Sequence, residues 1–146
     1  MRLWHWALLP YLPDAQLRGQ LRELTAIMHD WRDRGQTNHL LINRAMEYGK
    51  AELCFYFELY ANIYSNRFGK KISDTIREDF EAFGWPPKPR YGFPYQGWHD
   101  RGYLRICMAN LWEKRHYARG KSRITDKEWA RLLRGYKEIT GENWEI

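Results

Sequence analysis

The stretch "KAELCFYFELYANIYSNRFG", residues 50–69, decides the fold class. Leu53, Phe55, Phe57, Leu59, Tyr60, Ile63, Tyr64 and Phe68 spread apolar surface around almost the whole circumference of a helix, the pattern of an element buried on all sides. A strand competes over Leu53 to Tyr60. The apolar spacing continues for about twenty residues without a turn signal, longer than most strands, and so predicts a central buried helix.

On the N-terminal side, Leu17, Leu21, Leu24, Met28 and Trp31 recur at spacings of four, three, four and three, the core stripe of an amphipathic helix. Asp14 after Pro13 suits its N-cap and Gly35 its stop, which gives a helix over about Asp14 to Arg34. A short helix follows from Asn38 to about Tyr48, ending near Gly49. On the C-terminal side, Ser73 caps "SDTIREDFEAFG", and Gly84 closes it before "WPPKPRYGFPYQG". In that loop the prolines restrict φ, while Trp85, Tyr91, Phe93 and Tyr95 serve as anchors. Arg101 to Arg119 reads as helix again. Thr125 with Glu128 forms a capping box for a last helix carrying Trp129, Leu132, Leu133 and Tyr136. With no internal repeat, the expectation over residues 1–146 is a single all-α domain: a compact helical bundle with one loop rich in proline and aromatic residues.

The 146 residues fall in the size range of one domain with one core. Aromatic residues make up 16%, with 8 tryptophans, enough to fill that core and still present stacking surfaces. Lys+Arg 24 against Asp+Glu 18 leaves a formal charge of +6, which favours a polyanionic partner. Apolar runs such as Cys54 to Phe57 are far too short to span a membrane. The opening lacks an apolar signal core and a small-residue cleavage site. A cytoplasmic monomer with no membrane contact is therefore expected. Cys54 and Cys107 are far apart with no CxxC partner, so the reading is two buried thiols, with no metal site and no cofactor.

The first residues, "MRLWHW", are apolar and aromatic where chain ends are usually polar and frayed. Either the segment tucks against the core, or its terminal amine is held in place. On the first long helix, Gln16, Gly19, Glu23, Ala26 and Asp30 share a strip, with Arg18 and Arg22 on the other flank. Gly19 and Ala26 leave that strip low around Glu23, for tight helix packing or for close approach of a ligand.

"MRLW" followed by "QLRGQLREL", with Leu17, Gly19 and adjacent Arg22 and Glu23, resembles the pyrimidine dimer DNA glycosylase family of phage endonuclease V-like enzymes. The similarity is clearest over residues 1 to 24, with fainter echoes in "FYFELY" and "NLWEKR". Gln16 stands where many members carry histidine. Leu21 replaces the histidine of the family's "EHRE", and Ala26 takes the place of an arginine.

The resemblance implies a DNA repair enzyme that excises a base from damaged duplex DNA, pyrimidine dimers above all, and then cleaves the abasic strand. Its nucleophile would be the α-amine of Met1, served by Glu23, with Leu3, Trp4 and Trp6 anchoring the terminus. An α-amine has a reference pKa of about 7.7–8.0 against about 10.4 for lysine, so a useful share is neutral at pH 7. Attack at the sugar C1′ expels the base and leaves an imine, and a carboxylate assists ring opening and β-elimination. Arg2 and Arg22 would hold phosphates around the opened nucleotide.

The expected DNA-binding set also includes Gln16, Arg18, His39, Lys114, Arg115, Arg119 and Lys121. Lys114 falls where the family has a lysine on its DNA-facing helix. His39 sits at a helix start, where it either caps or touches DNA. "EKRHYARGKSR", residues 113–123, interleaves cations with Tyr117, as in a phosphate track or a solvated basic face. His99 and Asp100 have no nucleophile elbow or metal spacing beside them, so general-base work there is not expected. Two functions stand open: the glycosylase and lyase, or a non-catalytic nucleic-acid-binding protein with the same fold and basic face. Glu23 and the unextended Met1-Arg2 terminus favour the enzyme.

Overall fold

The central helix of the computed structural model is α3, Lys50–Phe68, and it accounts for the all-round apolar pattern. Leu53, Cys54, Tyr56, Phe57 and Tyr60 are fully buried or nearly so. Around it pack α1 (Asp14–Arg34), α2 (Leu40–Glu47), α4 (Asp74–Gly84) and a 3-10 turn at Trp6–Tyr11. Then come α5 (Arg101–Tyr117), a second 3-10 turn (Gly120–Ser122) and α6 (Asp126–Thr140), with α5 and α6 packed on each other. The structure describes residues 2–85 and 92–145, apart from the side chain of Leu41. Among these residues there is no strand, and no helix is long and apolar enough to cross a membrane.

Local signals set most of the helix ends. Gly35 closes α1 in the left-handed region, with φ 74°, where glycine carries no Cβ penalty. Ser73 accepts from Ile76 N at the start of α4. The capping box of α6 forms in full: Glu128 N donates to Thr125 Oγ1 at 3.2 Å, and Thr125 N donates to Glu128 Oε1 at 3.0 Å. Gly135 lets α6 lie against Tyr11, since a Cβ there would collide with the ring.

Several expectations are corrected. Pro13, not Asp14, is the N-cap of α1, because the Asp14 carboxylate is drawn 2.9 Å from Arg67 Nη1 instead of turning back onto the helix. The α1 core stripe runs Leu17, Gln20, Leu24, Ile27 and Met28, while Leu21 and Trp31 pack half-buried at its edge. Helix α2 starts at Leu40, after an extended His39 whose N–H is taken by Thr37 Oγ1. Helix α5 stops at Tyr117, since Ala118 is extended with ψ 150° and takes Arg119 out of the helix. In the aromatic loop, Tyr95 is buried and Phe93 stacks on Trp6 with ring centroids 3.8 Å apart. Tyr91 and the rest of 86–91 lie outside the described residues. Cys54 and Cys107 are buried free thiols.

The rotation of α1 that buries Gln20 answers a need of the first residues. Leu3 and Trp4 are buried without helix or strand around them, and buried peptide groups without partners are costly. Side chains supply the partners. Trp4 N donates to Gln20 Oε1 at 2.8 Å, and Gln20 Nε2 donates to the Arg2 carbonyl at 2.7 Å. Tyr56 donates to the Trp4 carbonyl at 2.6 Å, and Tyr103 donates to that of Leu3. Trp6 N donates to His99 Nδ1 at 3.1 Å, and Ala7 N to His5 Nδ1 at 3.1 Å.

Both imidazoles must stay neutral to accept those bonds, and burial pushes His5 down to about 4 and His99 to about 2. A depressed histidine contributes stability that is complete above its unfolded value of about 6.5 and is lost as pH falls towards the folded one. The free energy of unfolding should therefore fall between pH 6.5 and pH 4.5 with a slope approaching two protons, as measured by denaturant titration. His99→Asn, whose amide oxygen can still accept from Trp6, should lose one proton of that slope. A flat profile over this range in the wild-type protein contradicts the assignment.

Candidate active site

The pinned N-terminal segment forms one edge of a cleft of about 470 Å³. Helix α1 supplies its floor: Gln16, Gly19, Arg22 and Glu23 lie on successive turns of one face. Arg2 and Trp4 flank the floor, and Lys114 of α5 with Lys121 of the second 3-10 turn closes the opposite side. The volume is in the range of small-molecule and nucleotide sites. Arg2, Arg22, Lys114 and Lys121 face a single lining carboxylate, that of Glu23, so the cleft favours an anion.

Glu23 Oε2 accepts the Arg2 main-chain N–H at 2.5 Å. The carboxylate thus sits beside the first peptide unit of the chain. The Arg2 guanidinium lies over the Trp4 ring, 5.5 Å from its centroid, as a cation–π pair. Gln16 Nε2 donates to the Ser122 carbonyl at 3.2 Å, tying α1 to the second 3-10 turn across the cleft. Its Oε1 is buried without a hydrogen-bond partner among the described residues.

Six of the residues singled out by sequence thus meet in one place: Arg2, Gln16, Arg22, Glu23, Lys114 and Lys121. Four others lie elsewhere. Arg18 points off the opposite flank of α1 and covers Phe68 at 4.4 Å. Exposed His39 precedes α2. Arg115 is paired with Asp126 and reaches the Ile124 carbonyl at 3.4 Å. Arg119 shares a neighbouring hollow with His116 and Arg123. Met1 lies outside the described residues. Asp100 caps α5 through Tyr103 N at 2.8 Å while His99 serves Trp6, so the pair forms no catalytic dyad.

The residues that orient the N-terminal segment were the ones missed. Gln20 carried a signal, a polar side chain on the same helical face as Leu17 and Leu24. Tyr56 carried a weaker one, a hydroxyl in a helix apolar on every side. Nothing near Tyr103 or His99 in the chain points to partners 100 and 93 positions away.

Comparison with protein families gives a match to pyrimidine dimer DNA glycosylase over residues 1–75. Comparison with curated proteins and with solved structures gives no match. The matched half holds the N-terminal segment, the floor of the cleft and α3, whereas Lys114 and Lys121 come from beyond it. Covering more than half of the chain, the match shows that the protein belongs to the pyrimidine dimer DNA glycosylase family.

Proposed function

We propose that this protein is a bifunctional DNA glycosylase and abasic-site lyase acting on damaged duplex DNA, with pyrimidine dimers as its substrate class and the α-amine of Met1 as nucleophile. The observation that carries the reading is the bond from Arg2 N–H to Glu23 Oε2 at 2.5 Å. In any conformation of residue 1, its α-nitrogen is three covalent bonds from the Arg2 nitrogen. A carboxylate is thereby held next to the chain position where the amine chemistry takes place.

The neutral amine attacks C1′ of the damaged nucleotide. The base leaves with the electron pair of the glycosidic bond and takes up a proton. Glu23 stabilises the positive charge that develops on the sugar. The attached nitrogen gives up a proton, and its lone pair forms the C1′=N bond as the C1′–O4′ bond breaks and O4′ takes up a proton. The protonated imine acidifies the C2′ hydrogens, and removal of one by the carboxylate expels the 3′ phosphate by β-elimination. Arg22, one residue from Glu23, and Arg2 hold the phosphates flanking the reacting sugar, while Lys114 and Lys121 engage the strand from the far wall. Damaged pairs unstack most cheaply, which helps the sugar reach the cleft.

Glu23→Gln isolates the chemistry from the fold, because the amide oxygen can still accept from Arg2 N. Turnover on dimer-containing duplex should fall at least ~10²-fold, while affinity stays equal or improves slightly as a negative charge leaves a phosphate-binding cleft. Equal losses of rate and binding, measured by single-turnover kinetics and titration, would mark Glu23 as a structural partner only. Acetylating the Met1 amine, or retaining a tag before it, should abolish strand cleavage and leave weak duplex binding intact. Undiminished cleavage by the tagged protein overturns the amine mechanism.

A further inference from the structure

Arg2 is held on both sides of its α-carbon by a single helix. Its N–H donates to Glu23 Oε2, and its carbonyl accepts from Gln20 Nε2 at 2.7 Å. Gln20 and Glu23 stand three residues apart on α1, the spacing that brings side chains together on neighbouring turns. The bond to Glu23 alone would let the first peptide unit pivot about the N–H···O axis. A second bond, beyond the α-carbon, removes that freedom.

The two side chains differ in what else they can reach. Glu23 lines the cleft, whereas Gln20 is fully buried and has no part in its walls. The Gln20 amide is committed to main chain: Oε1 accepts from Trp4 N at 2.8 Å while Nε2 serves Arg2. Trp4 N–H can only donate and the Arg2 carbonyl can only accept, so the amide has one orientation. An amide between Leu17 and Leu24 is a poor choice for packing alone. Arg2 itself is half-buried at the edge of the fold, where water could serve its carbonyl. The Gln20 bond therefore orders that group rather than merely satisfying it.

We infer that Gln20 is a positioning residue for the reaction: by fixing the Arg2 carbonyl it holds the first peptide unit against the Glu23 carboxylate, so that nucleophile and carboxylate address the same sugar. The inference rests on the reading of the Met1 α-amine as that nucleophile. Being buried, Gln20 touches no DNA, and its effect on the reaction passes through the N-terminal segment.

The test compares full-length, untagged wild-type protein with Gln20→Met, which keeps the length of the side chain and removes both bonds. Tyr60→Phe is the control, since it strips a buried hydroxyl from the Leu17 carbonyl and involves neither Arg2 nor the cleft. Three quantities are measured: melting temperature, affinity for a duplex with an uncleavable tetrahydrofuran abasic analogue, and single-turnover cleavage of an abasic duplex at saturating protein. Gln20→Met should slow the saturated step at least ~10-fold, because misplaced reacting groups are costly, and lower the early yield of borohydride-trapped imine in parallel. Its affinity should stay within about 2-fold of wild type. Tyr60→Phe should lower the melting temperature comparably and keep the saturated rate within about 2-fold. Gln20→Asn retracts the amide by about 1.5 Å, too far for both bonds to persist, and should reproduce the rate loss if Gln20→Met does not fold.

Wild-type saturated cleavage by either folded Gln20 variant overturns the assignment and leaves the amine mechanism standing. A rate loss that Tyr60→Phe shares at equal loss of stability, a parallel loss of affinity, or failure of both Gln20 variants to fold would make Gln20 a structural residue and overturn it equally. Undiminished cleavage by wild-type protein that retains a tag before Met1 overturns the amine reading, and this inference with it.

Discussion

A main chain that enters a protein core without helix or strand partners must find a partner for each buried peptide group, and here side chains provide them. Gln20 alone clamps both the Arg2 carbonyl and the Trp4 N–H, an amide acting as a short length of opposing strand. Tyr103 from α5 takes the Leu3 carbonyl, Tyr56 from α3 that of Trp4, and His99 before α5 the Trp6 N–H. Three separate elements thus converge on five residues of chain. Each hydroxyl or ring nitrogen that does this is buried and would be costly to strand, so the N-terminal segment and the helix packing hold each other in place. Glu23 is the outermost of these partners and the one that also faces the cleft.

The distribution of charge follows from the same arrangement. Many of the surface cations are committed: Arg67 to Asp14 and the carbonyls of Pro10 and Leu12, Arg115 to Asp126, Arg34 to Asp30. Among the described residues no carboxylate pairs with Arg22, Lys114 or Lys121. The single lining carboxylate is occupied by a main-chain N–H rather than by one of them. Their field therefore points into the cleft, where it can attract an anion, instead of being cancelled locally.

The helices were legible because their signals are local. The apolar circumference of residues 50–69, the Thr125 and Glu128 box and the glycine at 35 each lie within a few residues of what they determine. The floor of the cleft was legible for the same reason, since Gln16, Gly19 and Glu23 share a helical face. What escaped the reading depends on contacts across the chain. Burial of Gln20 in preference to Leu21 makes sense only once the backbone of Arg2 and Trp4 lies opposite. Arg115 reads as a free cation until Asp126 folds back onto it. Arg18 and Arg22 shared a flank on the wheel, but Phe68 of α3 captures the first and leaves the second at the cleft.

Trapping the covalent intermediate tests the proposed amine nucleophile at the first residue. Borohydride added during reaction with dimer-containing or abasic duplex reduces an imine to a stable amine linkage, and peptide mapping by mass spectrometry then locates it. One DNA adduct is expected, on the α-nitrogen of the peptide that begins at Met1. An adduct on Lys114 or Lys121, the two lysines that line the cleft, or strand cleavage with no adduct at all, would contradict it.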